Sequence, residues 1–155
     1  MQNYEYKPGD FGASTAAYPP AEAIIQKDLS GDELAEWYLS DFPRGTSPST
    51  QQRRAEAIAE HRAELIKDAQ QYEDIRSRGA AALSRHDVEC CAQGDADAAV
   101  RMALSLKFNH IMFHLRFLES ARRIAPALFA FVESGAEMTR HEIAPERECE
   151  QLALF

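Results

Sequence analysis

The chain has 155 residues and a formal net charge of −8, with 17 Lys and Arg against 25 Asp and Glu. Because an acidic chain repels phosphate backbones, binding of nucleic acid over its whole surface is excluded. The sequence has no run of about 18 apolar residues that could cross a membrane, no signal-peptide pattern at its start and no disulfide framework, so it predicts a single-domain cytoplasmic protein without a membrane partner.

The first 43 residues predict an arm followed by two short helices. Residues 1–19 combine glycine and proline with scattered aromatic residues, which is typical of an extended arm. Pro19-Pro20 opens a short helix that runs through Leu29, because proline is tolerated in a first helical turn. Ser30-Gly31-Asp32-Glu33 has the spacing of a capping box, and it begins a second helix that Pro43 ends.

A long helix is predicted from Pro48 to about Arg78, with Ser47 as its N-cap. One face repeats every three or four residues and should be buried. That stripe is Ala55, Ile58, Arg62, Leu65, Ala69, Tyr72 and Ile75. Gly79 either ends or bends this helix, and the conformation of residues 86–93 stays open.

The central helix is predicted from Ala96 to about Ala125, with Asp95 as its N-cap. It carries two apolar stripes and should therefore pack against other helices or be shared between subunits. The first stripe is Val100, Leu104, Phe108, Ile111, Leu115 and Leu118. The second is Leu106, Phe113, Phe117, Ile124, Leu128 and Phe131. Pro126 either kinks the helix or starts a separate one through Glu133.

No alternating strand pattern with hairpin turn signals occurs anywhere in the sequence. The predicted fold is therefore all-α: a small helical bundle (residues 20–133) with a long central helix, an extended N-terminal arm (1–19) and a flexible acidic C-terminal tail (134–155). The net charge of −8 is concentrated at the ends, since residues 1–42 carry −6 and residues 124–155 carry −4.

The acidic tail ends in an apolar group of side chains. Gln151-Leu152-Ala153-Leu154-Phe155 resembles the motif Gln-Leu-(Ser/Asp)-Leu-Phe by which proteins bind the bacterial β sliding clamp, with four of five positions matching. The resemblance implies that Gln151 forms a hydrogen bond at the rim of a groove on the clamp. It also implies that Leu152 enters one apolar subsite and that Leu154 and Phe155 fill a deeper one. It covers five residues and does not extend to the helical body.

This resemblance implies a non-enzymatic protein that docks on the β sliding clamp of DNA polymerase III through its tail. It would act as an adaptor or inhibitor in DNA replication or repair, encoded by a bacterium, a phage or a plasmid. The alternative is a helical oligomer, regulatory or structural, from a mobile element, whose C-terminus packs on its own core. The second apolar stripe motivates the alternative, because it exceeds what a small bundle needs. A homodimer is compatible with both.

Two histidines on the central helix have a metal-compatible spacing. His110 and His114 are four residues apart, so one turn places both imidazoles on the same side. Further ligands would have to come from a set of four residues: His61, Glu64, His86 and Glu119. No metalloprotease-type motif is present, and both histidines flank apolar stripes. We therefore interpret them as imidazoles with hydrogen-bond partners and predict no metal and no cofactor.

Four arginines form two adjacent pairs, Arg53-Arg54 and Arg122-Arg123, which together can present a basic face near DNA. The alternative is that they pair with neighbouring glutamates on the helix surfaces. No helix-turn-helix spacing is visible, so direct contact with nucleic acid is not expected. The sequence also has no nucleophile triad, phosphate loop or paired-carboxylate site, so we expect no enzymatic activity.

Overall fold

The computed structural model describes residues 18–29, 36–40 and 42–135. No strand occurs in these residues, and the predicted all-α class is confirmed. The helical elements are α1 (Ala21–Ile25), a 3₁₀ helix (Glu36–Leu39), α2 (Pro48–Arg78), a 3₁₀ helix (Gly79–Ala82), a π-helical turn (Asp87–Cys91), α3 (Ala96–Ile124) and α4 (Pro126–Glu133). None of them is long and apolar enough to cross a membrane.

Three predictions fall outside the described residues. They are the extended arm over residues 1–17, the capping box at Ser30–Glu33 and the tail from residue 136. The first predicted helix is wrong at its end, because α1 stops at Ile25 and not at Leu29. Leu29 is nevertheless only 7% exposed. Its side chain is buried although the segment that carries it is not helical.

The ends of α2 follow from local chemistry. Ser47 Oγ accepts a hydrogen bond from the Thr50 N–H at 3.2 Å, which is the predicted N-cap contact. Pro48 then occupies the first helical position, where its missing N–H costs nothing. Gly79 has φ = +58°, a left-handed conformation that other residues adopt only under strain, and it therefore ends α2.

The boundary between α3 and α4 is also set locally. Asp95 Oδ1 accepts a hydrogen bond from the Ala98 N–H at 3.0 Å and caps the start of α3 as predicted. At the other end, Ala125 leaves the helical conformation and Pro126 takes the first position of α4. Pro126 therefore starts a separate helix and does not kink α3.

The chain divides into two compact units, each built from two stretches of sequence. Within the described residues, the first unit contains 18–29 and 64–115. Its core includes side chains from α1, the later part of α2 and the earlier part of α3: Ile24, Leu65, Tyr72, Ile75, Val100, Leu104, Ile111 and Met112. Tyr72 is fully buried, and its hydroxyl donates to the Pro19 carbonyl at 2.7 Å.

The second unit contains, among the described residues, 36–40, 42–63 and 116–135. Its core includes Tyr38, Phe42, Ile58, Phe117, Leu118, Leu128 and Phe129. Phe117 lies at its centre, edge-on to Phe42 at 5.9 Å and stacked on His61 at 3.5 Å. Arg116 is buried beside this group and donates to the Tyr38 hydroxyl at 2.8 Å.

Candidate functional site

The predicted clamp-binding residues lie outside the described part of the chain. These are Gln151, Leu152, Leu154 and Phe155. Within the described residues, three groups of side chains bear on function. They are a cluster around Asp68, the predicted basic arginines, and an exposed apolar face of α3.

The Asp68 cluster lies in the first unit. Asp68 is 4% exposed, and its Oδ1 accepts a 2.7 Å hydrogen bond from Lys107 Nζ. Its Oδ2 lies 3.3 Å from His114 Nε2 and 3.9 Å from His110 Nδ1. One buried carboxylate of α2 is therefore shared by three side chains of α3.

The sequence analysis missed Asp68, although a signal was present. Asp68 follows Leu65 by three positions and directly precedes Ala69, so it falls on the buried side of α2. An acidic residue at such a position needs a cationic partner. Lys107, which lies three residues before His110, supplies it.

Other suggested metal ligands have different roles. His61 stacks on Phe117, and the hydrogen bond from Arg122 holds the pKa of Glu119 below its ordinary value. His86 is exposed at the start of the π-helical turn. Across the part of the chain that the structure describes, no group of three or more His, Cys, Asp or Glu side chains is arranged to hold a metal ion.

Burial of His114 beside Asp68 predicts a stability that depends on pH. Burial lowers the pKa of His114 below its ordinary value of 6.5, and the Asp68 and Glu64 carboxylates offset this only in part. His114 therefore binds protons more readily in the unfolded chain than in the folded one. The contribution of neutral His114 to the free energy of unfolding is fully present above pH 6.5 and is lost as the pH falls below that value. We expect His114→Gln to flatten the decrease in unfolding free energy between about pH 7 and pH 5, measured by urea unfolding.

His110→Gln is the matched control, because His110 flanks the same carboxylate but is 48% exposed. It checks by circular dichroism that a substitution on this face of α3 leaves the fold intact. Equal slopes for the wild type and His114→Gln would contradict this assignment.

The predicted basic face loses Arg54, which is buried, whereas Arg122 and Arg123 follow the stated alternative of pairing with a neighbouring glutamate. Arg54 is 6% exposed, and its Nε donates to the Pro43 carbonyl at 2.6 Å. Arg122 and Arg123 both bind Glu119, at 2.7 and 3.2 Å. The reason is local, since a glutamate three and four residues earlier on the same helix is the nearest partner. Arg53 remains exposed.

The second predicted stripe of α3 separates into buried and exposed members. Phe117 is fully buried in the second unit. In the first unit, Met102, Leu106 and Phe113 lie on one side of α3 and are 36%, 55% and 36% exposed. We call these three residues the exposed α3 face. Large apolar side chains at helical spacing and accessible to water are typical of an interaction surface.

Comparisons with family models, with curated proteins and with solved structures found no match to this chain.

Proposed function

We propose that this protein binds the bacterial β sliding clamp through residues 151–155 and acts in the cytoplasm as an adaptor or inhibitor in DNA replication or repair. The observation that carries the proposal is the pentapeptide Gln151-Leu152-Ala153-Leu154-Phe155, which matches the clamp-binding motif at four positions. An occupied clamp groove is closed to other proteins that use it, so binding alone is sufficient for inhibition.

The chemistry of the pentapeptide supports a peptide-in-groove interaction. In an extended segment, Leu152 and Leu154 point to the same side, and Phe155 adds a large aromatic anchor. Burial of each side chain contributes roughly 1.5–3 kcal/mol. Hydrogen bonds of Gln151 and of the backbone add roughly 0.5–1.5 kcal/mol each, so after the cost of ordering the segment a total near −8 kcal/mol is the upper limit, which corresponds to about micromolar affinity.

The charges of the helical body favour an indirect route to DNA. The chain carries −8 overall, and three of the four arginines considered for DNA contact are buried or bound to a glutamate. A protein with this charge gains little from binding a phosphate backbone along its surface. Binding to a partner that already encircles DNA avoids this electrostatic cost.

Titration of the full-length protein with a purified bacterial β sliding clamp, followed by calorimetry, tests the proposal. We expect one class of sites with a Kd of about micromolar magnitude. A variant without residues 151–155 should show no heat of binding, and a free Gln-Leu-Ser-Leu-Phe peptide should compete with the wild type. Equal binding by both proteins, or binding by neither, would refute the proposal.

A second candidate is a helical oligomer, and the exposed α3 face favours it. Leu106 and Phe113 lie symmetrically about the position between Asn109 and His110. A second α3 placed antiparallel there would set Leu106 of one copy against Phe113 of the other, as a two-fold interface requires. The acidic Leu106→Glu variant should then convert a dimer to a monomer in sedimentation equilibrium. A wild type that sediments as a monomer at high concentration would eliminate this candidate.

A further inference from the structure

A cleft of about 550 Å³ opens in the second unit next to the first turns of α2. Its described lining residues are Ser40, Phe42, Pro43, Arg44 and Arg53. This volume lies within the range of roughly 300–1,000 Å³ that is usual for small-ligand sites. Two of these five described side chains are arginines and none of the five is acidic, although the chain as a whole is acidic.

The two arginines of the cleft are accessible to a ligand. Arg44 and Arg53 are both exposed, and no Asp or Glu among the residues that the structure describes forms an ion pair with either of them. Arginines at the far end of α2 instead bind a carboxylate three or four positions away on the same helix. The first turn of α2 also lacks an acidic residue. Glu56, three positions after Arg53 on α2, accepts a hydrogen bond from Gln52 at 3.1 Å and forms no ion pair with Arg53.

Phe42 and Pro43, which precede α2 and line one wall of the cleft, are held in place by contacts with Arg54. Arg54 Nε donates to the Pro43 carbonyl at 2.6 Å, and its guanidinium carbon lies 5.1 Å from the centre of the Phe42 ring. Gly45 has φ = +114°, and this conformation turns the chain after Arg44 toward the start of α2. These contacts hold Phe42 and Pro43 in place, so a ligand has mainly to order the two exposed arginine side chains.

We propose that this cleft binds the phosphate group of a small phosphorylated ligand such as a nucleotide, held by the guanidinium groups of Arg44 and Arg53. A guanidinium is planar and presents paired N–H donors that match phosphate oxygens. Ser40 adds a hydroxyl group to the lining. Arg44 and Arg53 are not part of the clamp-binding pentapeptide, so variants of the cleft and of residues 151–155 test the two proposals separately.

The test is a titration of the full-length protein with two probes, inorganic pyrophosphate and a short DNA duplex. Two-dimensional NMR of the arginine Nε–H groups provides the readout. We expect both probes to shift the Arg44 and Arg53 signals in a saturable manner, and the shift to weaken as salt rises from about 50 to 200 mM. Tighter binding of pyrophosphate supports a small phosphorylated ligand, whereas tighter binding of the duplex would contradict the proposal.

Matched variants distinguish binding at the cleft from a general effect of the protein's positive charges on anion binding. R44Q/R53Q removes two charges at the cleft, whereas R76Q/R78Q removes two arginines that are bound to Glu73 and Asp74. We expect at least a tenfold loss of affinity in the first variant and less than a twofold change in the second. Circular dichroism confirms that both fold. Absence of a saturable shift with either probe, or equal losses in the two variants, would overturn the proposal.

Discussion

Replacing Leu154 and Phe155 together with alanine should weaken binding to the β sliding clamp by about 100-fold or more. Each side chain is a large apolar anchor in the proposed contact, and truncating such an anchor typically costs 2 kcal/mol or more. Each 1.4 kcal/mol corresponds to about a factor of ten in affinity. Starting from a micromolar Kd, the double variant should have no measurable affinity in calorimetry.

The control for this prediction is the third position of the same pentapeptide. Ala153→Ser introduces the residue that the clamp-binding motif carries there, so its affinity should equal or exceed that of the wild type. The double variant also distinguishes the two candidate functions. If residues 154 and 155 packed on the core, their truncation would lower the free energy of unfolding by several kcal/mol, whereas the clamp proposal requires stability to stay unchanged.

Phe117→Ala should lower the free energy of unfolding by about 3–5 kcal/mol. The ring is fully buried and is held between Phe42, at 5.9 Å, and His61, which stacks on it at 3.5 Å. Its removal leaves a cavity in the second unit, and both aromatic contacts are lost with it. Urea unfolding followed by far-ultraviolet circular dichroism measures this change.

Ile124→Ala is the matched control for that experiment. Ile124 lies two turns further along α3 and belongs to the same predicted stripe, but it is 42% exposed. Truncating a side chain that already contacts water should change stability by less than about 1 kcal/mol. Similar losses in the two variants would show that the second unit is not centred on Phe117.

The sequence was sufficient to predict the helices wherever a boundary depends on nearby residues. Ser47 and Asp95 cap α2 and α3 through hydrogen bonds that span three residues, so their signals are local. The first stripe of α3 was also predictable, because an unbroken three-four spacing requires one buried face. Leu104 and Ile111 in that stripe are fully buried.

The sequence was insufficient where a side chain depends on a partner far along the chain. Arg54 was assigned to a basic surface, but its position over Phe42 depends on how the loop before α2 folds back. Phe117 was grouped with Leu106, which is exposed, because helical spacing does not reveal which elements pack on each part of α3. Asp68 was overlooked because its partner Lys107 lies 39 residues away.

The candidate functional residues also differ in whether the sequence alone is sufficient to predict them. The clamp-binding prediction depends on five consecutive residues, so it can be stated without knowledge of the fold. The cleft lined by Arg44 and Arg53 could not be predicted, because nothing in the sequence indicates that Arg76 and Arg78 pair with carboxylates while, among the residues that the structure describes, Arg44 and Arg53 do not.

Division into two units that are each discontinuous in sequence has a consequence for synthesis on the ribosome. The described segments of the first unit are all present once residue 115 has emerged, whereas the second unit also needs α4. Ile58 and Phe42 are therefore made well before Phe117, and at about 5–20 residues per second the interval is several seconds. During that interval the partners that bury these apolar side chains have not been synthesised. The first unit is therefore the one that can begin to fold on the nascent chain.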